Sequence, residues 1–256
     1  MKKLLVVLVM LLVLVGCGSN DAGKQEVEAG EPWEANLIEK GKIIVGTSPD
    51  YPPFETLDDA GKIVGFDIDV FEAVVSKLDG YEVEWQAMEF DTIVSAVQTG
   101  TVDFGVSGFS YDPEKQVLFT DTYYDAGQTV LVLKDSGIKK ASDLDGKEVA
   151  VQLGTTCAEA AEEYLNANLS TGTDVGILVN ALKQGQYDGV VLDTVVAENY
   201  VKNDDVFTLI DEPLVTDAYS MITASENTEL MNKINGILKE FVQTDEYQAL
   251  IDKWGM

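Results

Sequence analysis

Three stretches hold residue types that could grip a small charged molecule. Asp193 closes the apolar run Gly189–Leu192 and stands directly before a helical pattern. A carboxylate at the carboxyl end of a buried strand faces the crevice where open α/β sheets take ligands, although an aspartate there could equally cap the following helix. The second stretch is Val149-Ala150-Val151-Gln152-Leu153-Gly154-Thr155-Thr156, ahead of an Ala/Glu-rich helix. Strand, glycine turn and helix start aim unpaired N–H groups and the positive end of a dipole at one spot, which suits an anion. Thr155 or Thr156 would also serve as a plain cap. In the third, Tyr51 sits in a stiff loop with Pro49, Pro52 and Pro53 after the run Ile43–Val45, and Phe90 follows the run Tyr81–Trp85. Two strand-end rings could sandwich the apolar part of a ligand, or simply fill core.

Catalysis would need an acid with a shifted pKa and a partner. Glu55, Glu89, Asp91 and Asp193 qualify by type, and none has a partner that the sequence identifies. Cys157 follows Gly154-Thr155-Thr156, but the chain has no histidine to activate a thiol. A small buried hydrophobe is its expected role. The residues read as a binder and not as an enzyme.

Composition narrows the classes further. The chain's 256 residues suffice for one large domain or two modest lobes. Asp and Glu total 45 against 17 lysines, with neither arginine nor histidine, for a net charge of −28. That balance argues against nucleic acid and anionic lipid surfaces. The missing histidine removes the commonest metal ligand, and no metal or cofactor is expected. Lys2 and Lys3 precede the apolar run Leu4–Val15, which is too short to span a bilayer and right for a signal peptide over residues 1–16. It ends in Leu14-Val15-Gly16-Cys17, which resembles a bacterial lipobox; cleavage there would leave Cys17 as a lipidated first residue, anchoring the protein on the extracytoplasmic face of the membrane. Residues 17–35 then read as a flexible, acidic tether. Cys157 has no remaining partner, so the fold must stand without a disulfide.

The elements that must position these residues alternate in type. Strand-like runs (Ile43–Val45, Tyr81–Trp85, Val102–Val106, Val130–Leu133, Glu148–Val151, Gly189–Leu192) are interleaved with helical ones (Phe66–Leu78, Asp91–Gln98, Ala158–Ala167, Thr194–Lys202). Such alternation predicts crossover units and a mainly parallel α/β sheet. An amphipathic helix spans Leu230 to Val242, and Tyr247, Leu250, Ile251 and Trp254 continue an apolar stripe.

The segment Tyr51-Pro52-Pro53-Phe54-Glu55, followed by Gly61-Lys62-Ile63-Val64-Gly65-Phe66-Asp67-Ile68-Asp69, resembles the opening of the solute-binding proteins that deliver polar amino acids to ABC transporters. The resemblance extends from about Asn36 to Trp254. It implies the type II periplasmic binding protein fold: two Rossmann-like lobes with mainly parallel sheets. One lobe would comprise 36–126 plus 220–256 and the other 135–212, joined by crossings at 127–134 and 213–219. It implies a monomeric receptor that closes on an amino acid and docks on a permease. The ligand side chain would lie between Tyr51 and Phe90. Val106 to Lys115 resembles the family's S-G-x-T-x-T-x-E-R segment, so Gly108, Ser110 and Lys115 would meet the ligand carboxylate together with Thr156, and Asp193 its ammonium. Lys115 stands where the family has arginine; a point charge replaces a planar fork. Ser48 stands where relatives that take basic ligands have aspartate, with Asp50 and Asp91 read as loop solvators. That leans the expectation towards a neutral polar side chain. The alternatives are a non-amino-acid anion or amine on the same fold, or an enzyme like the cyclohexadienyl dehydratases.

Overall fold

The computed structural model describes residues 41–256, so the expected signal peptide over 1–16, Cys17 and the expected tether lie outside the described residues. β1 (Lys42–Thr47) is built on Ile43, Ile44 and Val45, whose branched side chains favour extended backbone. A small antiparallel flap follows, made of β2 (Asp50–Tyr51), β3 (Glu55–Leu57) and β4 (Ile63–Val64). It leads into α1 (Phe66–Val75), which buries Phe66, Val70, Phe71 and Val74 at helical spacing. β5 (Glu82–Ala87), α2 (Phe90–Gln98), β6 (Phe104–Ser110), β7 (Val117–Phe119) and β8 (Tyr124–Leu133) complete the first run.

The second run is β9 (Glu148–Gln152), α3 (Thr156–Tyr164), β10 (Asn168–Gly172), α4 (Val175–Lys183), β11 (Gly189–Asp193), α5 (Thr194–Asn203) and β12 (Phe207–Leu209). β13 (Val215–Ala224) returns to the first half, where α6 (Thr228–Phe241) and α7 (Asp245–Trp254) close the chain.

The main sheet runs β10-β9-β11-β8-β13-β6-β1-β5, with β12 on β8 and β7 on β13. Each flank is parallel: β1 pairs with β5 and β6, and β9 pairs with β10 and β11. The centre is antiparallel, because β8 and β13 are the two crossings. β8 pairs through Tyr124–Gln128 with β13 and through Gln128–Val132 with β11. One extended strand thereby serves both halves. Apolar packing is continuous across the molecule, from Ile43 and Phe71 to Val175 and Leu182.

Four elements differ from the sequence expectation. The helix expected to reach Ala167 stops at Tyr164, since Leu165 turns extended. The helix expected to reach Leu78 stops at Val75. Neither β10 nor α4 is among the expected elements, although Val175, Leu178, Val179 and Leu182 of α4 do fall at helical spacing. β10 follows the register of β9, and the Asp174 side chain accepts the Ile177 N–H to start α4.

Candidate functional site

The carboxyl ends of β6, β9 and β11 converge on one narrow cavity lined from both halves of the chain. Tyr51, Phe90, Gly108, Ser110, Lys115, Thr156 and Asp193 all line it, so the structure brings every sequence-predicted ligand residue to one place. It also adds residues that the sequence did not single out for the ligand, notably Glu55, Asp50, Gln152 and Ser107.

Asp193 ends β11 and occupies the cap position of α5, yet its side chain makes no cap hydrogen bond. The carboxylate turns into the cavity. The Tyr51 hydroxyl donates to Oδ2 at 2.9 Å and accepts the Asp193 N–H, also at 2.9 Å. The Tyr219 hydroxyl donates to the same oxygen, and the Cys157 thiol lies 3.8 Å from Oδ1. Burial pushes Asp193 up to about 6, against the opposing pull of the two tyrosine hydroxyls. Burial likewise raises the Cys157 thiol well above its ordinary range, as an unactivated buried cysteine should be. Tyr219 lies on the crossing strand β13, far from Asp193 in sequence, and no local pattern could have found it.

Tyr51 therefore differs from the bare aromatic wall expected of it, because its polar end is spent on Asp193. The apolar surface comes from Phe90 stacked on Phe109, with centroids 4.9 Å apart.

The hydroxyls assigned to a ligand carboxylate hold a carboxylate of the protein instead. Ser110 Oγ donates to Asp217 Oδ2 at 2.5 Å, Thr156 Oγ1 at 3.1 Å, and Gln128 Nε2 at 3.0 Å. Asp217 lies on β13, so it ties the end of β6 and the start of α3 to the crossings. Thr155, not Thr156, caps α3, accepting the Ala158 N–H at 3.2 Å. Lys115 lines the cavity with its ammonium 2.8 Å from Asp112, and only 16% of its side chain is exposed.

Asp50 also corrects its expectation. It is no loop solvator: Oδ1 accepts from Ser48 Oγ at 2.8 Å, and Oδ2 accepts from Gln152 Nε2 at 2.9 Å and from the Val175 N–H at 2.8 Å. It bridges the two lobes. Asp91 is exposed, as a solvating residue would be.

Glu55 is fully buried on β3, with Oε1 accepting from Ser107 Oγ at 2.8 Å. Behind it, Asp67 at the start of α1 is also fully buried. Burial and the neighbouring Asp67 push Glu55 well above the usual carboxylate range. Glycine is required at two points of the wall. Gly108 has φ +56° with the Tyr219 ring 3.2 Å from where a Cβ would sit; Gly154 has φ +78° with Asp91 Cβ at 3.1 Å. Among the described residues, no cluster of His, Cys, Asp and Glu could hold a metal ion.

Two α/β lobes, two crossing strands and a polar cavity lined from both lobes define a type II periplasmic binding protein. The chain belongs to the bacterial extracellular solute-binding proteins, family 3, whose sequence pattern matches residues 43–256. It is similar to the arginine-binding extracellular protein ArtP of Bacillus subtilis, with 36% identity over 99% of this chain and 98% of that one. A mutant of ArgBP from T. maritima superposes with a TM-score of 0.81 at 34% identity, covering 86% of this chain and 97% of that one. The ancestral amino acid-binding protein AncCDT-1, described as a precursor of cyclohexadienyl dehydratase, gives 0.80 at 36% identity, covering 86% and 98%.

Proposed function

We propose that this protein is the extracytoplasmic receptor of an ABC-type amino-acid transporter and that its ligand carries a cationic side chain. The observation that carries this reading is the charge content of one cavity: Asp193 from β11, Glu55 and Asp50 from the flap, and Lys115 after β6 all line it. An α-ammonium meets Asp193, the α-carboxylate meets Lys115 and the start of α3, and a positive side chain lies over Phe90 towards Glu55. Ser48 does lack a carboxylate, but Asp50 and Glu55 supply acid from the next turn and strand. The expected neutral side chain thus gives way to a cationic one. The relatives named for arginine support the same choice.

The lobes, 36–126 with 220–256 and 135–212, swing on the crossings, and closure excludes water so that each ion pair strengthens. The monomeric closed form then docks on a permease, with lipid on Cys17 keeping it at the membrane. We read the protein as a binder and not an enzyme. Its buried acids are engaged by fixed donors (Tyr51, Tyr219, Ser107 and the Gly108 N–H), and the relative linked by name to a dehydratase is itself called a binding protein. A thermal-shift and calorimetric screen of all the common amino acids tests this. Arginine or lysine should give the largest upward shift, about 2.7 kcal/mol at a hundredfold over Kd. A shift for glutamine alone would reject the cationic reading, and turnover of a substrate would reject the binder reading.

A further inference from the structure

The Glu55 end of the cavity holds more carboxylate than a single positive charge can balance. Glu55 and Asp67 are both fully buried, and their carboxyl groups lie within hydrogen-bond reach of each other. One oxygen of each is already committed. Ser107 Oγ accepts the Ser48 N–H at 3.1 Å, so its own proton goes to Glu55 Oε1 at 2.8 Å. The Gly108 N–H goes to Asp67 Oδ2 at 2.9 Å. The remaining oxygens, Glu55 Oε2 and Asp67 Oδ1, are not reached at normal hydrogen-bond geometry, and the Tyr123 hydroxyl, also unpartnered, stands beside Asp67 as a neutral donor.

The charged and titratable neighbours do not neutralise the pair. Asp50 from β2 adds negative charge to Glu55. Tyr123, ahead of β8, lies against Asp67, and Tyr247 of α7 spends its hydroxyl on the Tyr123 carbonyl. Lys115, the cation on the cavity wall, is paired with Asp112. Two ionised carboxylates in contact without a cation repel strongly at low dielectric. One proton between Oε2 and Oδ1 removes that repulsion, which the neutral Tyr123 hydroxyl can soften but not cancel.

We propose that Asp67 is a positioning residue for ligand selection: it shares one proton with Glu55, so that this end of the cavity presents a single negative charge and prefers one positive side chain to a neutral carboxamide. Only Glu55 lines the cavity; Asp67 stands behind it. When a positive group arrives, the O–H bond on Glu55 Oε2 breaks and one forms on Asp67 Oδ1. The pair keeps its charge and no proton leaves the protein. Asp67 is pushed by burial to about 6, so the pair would take a second proton, and lose its charge, on acidification below that point. This inference rests on the cationic-ligand reading.

The test is isothermal titration of the full-length protein with arginine and with glutamine from pH 5 to pH 8, read as the ratio of the two affinities. Asp193 and Lys115 serve both ligands, so the ratio isolates the side-chain end. The wild type should hold a constant ratio above about pH 7 and lose up to about tenfold per pH unit below about 6. In Asp67→Asn the amide donates to Glu55 Oε2 and no shared proton remains. The ratio should then persist to about pH 5 and match the wild type within a few-fold at pH 8. A merely structural role for Asp67 would weaken both ligands alike and leave the midpoint unmoved, which overturns the proposal. A wild-type ratio that favours arginine but does not change from pH 5 to pH 8 overturns the proton sharing and leaves the cationic reading standing. Glutamine bound over arginine at every pH overturns both. The wild-type series needs no variant, so a failure of Asp67→Asn to fold would not shelter the idea.

Discussion

The two acidic ends of the cavity solve one problem in different ways. Both bury carboxylate. At the Asp193 end, one carboxylate receives two tyrosine hydroxyls, from Tyr51 on the flap and Tyr219 on the crossing. Neutral donors solvate the charge without cancelling it. At the Glu55 end, two carboxyl groups face each other, Glu55 held by Ser107 and Asp67 by the Gly108 N–H, with the Tyr123 hydroxyl beside Asp67. There the acid is held by a second acid, and its charge depends on a proton. A phenol-solvated site suits an ammonium that every amino acid carries, whereas an acid pair suits a choice between ligands.

Breaking the Asp193 end should have the largest effect. Asp193→Ala leaves the ammonium unpaired in a buried site, so binding of arginine and glutamine alike should weaken on the order of 10³-fold, measured by calorimetry. Unchanged affinity would remove Asp193 from the site. Breaking the other end should be selective: Glu55→Gln is expected to weaken arginine about 10²-fold while glutamine changes by less than about threefold. Equal loss for both would erase the contrast between the ends.

Stability against pH sharpens the comparison. Asp67 and Asp193 both sit at about 6, above their ordinary 3.8, so the folded chain retains protons that the unfolded chain has released. With no amino acid added, stability should therefore fall as pH rises from about 4 to about 6, by on the order of 2 kcal/mol per group. Urea midpoints at successive pH values would read it, and a midpoint that rises over that window would contradict the burial described here. The smallest effect is expected from Tyr219→Phe, which removes one donor from Asp193. Binding of all ligands should weaken about fivefold, more at pH 5 than at pH 8, because Asp193 then holds its proton more tightly.

Much of this site was legible in the chain because strand ends, glycine turns and helix starts are local features. Asp193 after Gly189–Leu192, Thr156 after Gly154, and Tyr51 in the proline loop could each be placed from neighbours in sequence, and all three line the cavity. The pairings between them could not. Asp217 holding Ser110 and Thr156, Tyr219 reaching Asp193, and Asp67 lying behind Glu55 each join residues on separate elements. Each depends on how β13, β6 and α1 meet. Ser48 alone led to the expectation of a neutral side chain, and the proposal of a cationic one rests on Asp50 and Glu55, which the fold brings to the same cavity.

The sequence by itself determined the alternation of strand and helix, the absence of histidine chemistry, and the acids and hydroxyls available at the strand ends. Periodicity and composition act over a few residues, and so survive without knowledge of the fold. Only the tertiary structure decided which carboxylates are desolvated and which donors each receives. Those properties arise from burial and contact between distant segments, and they set the charge that the cavity offers its ligand.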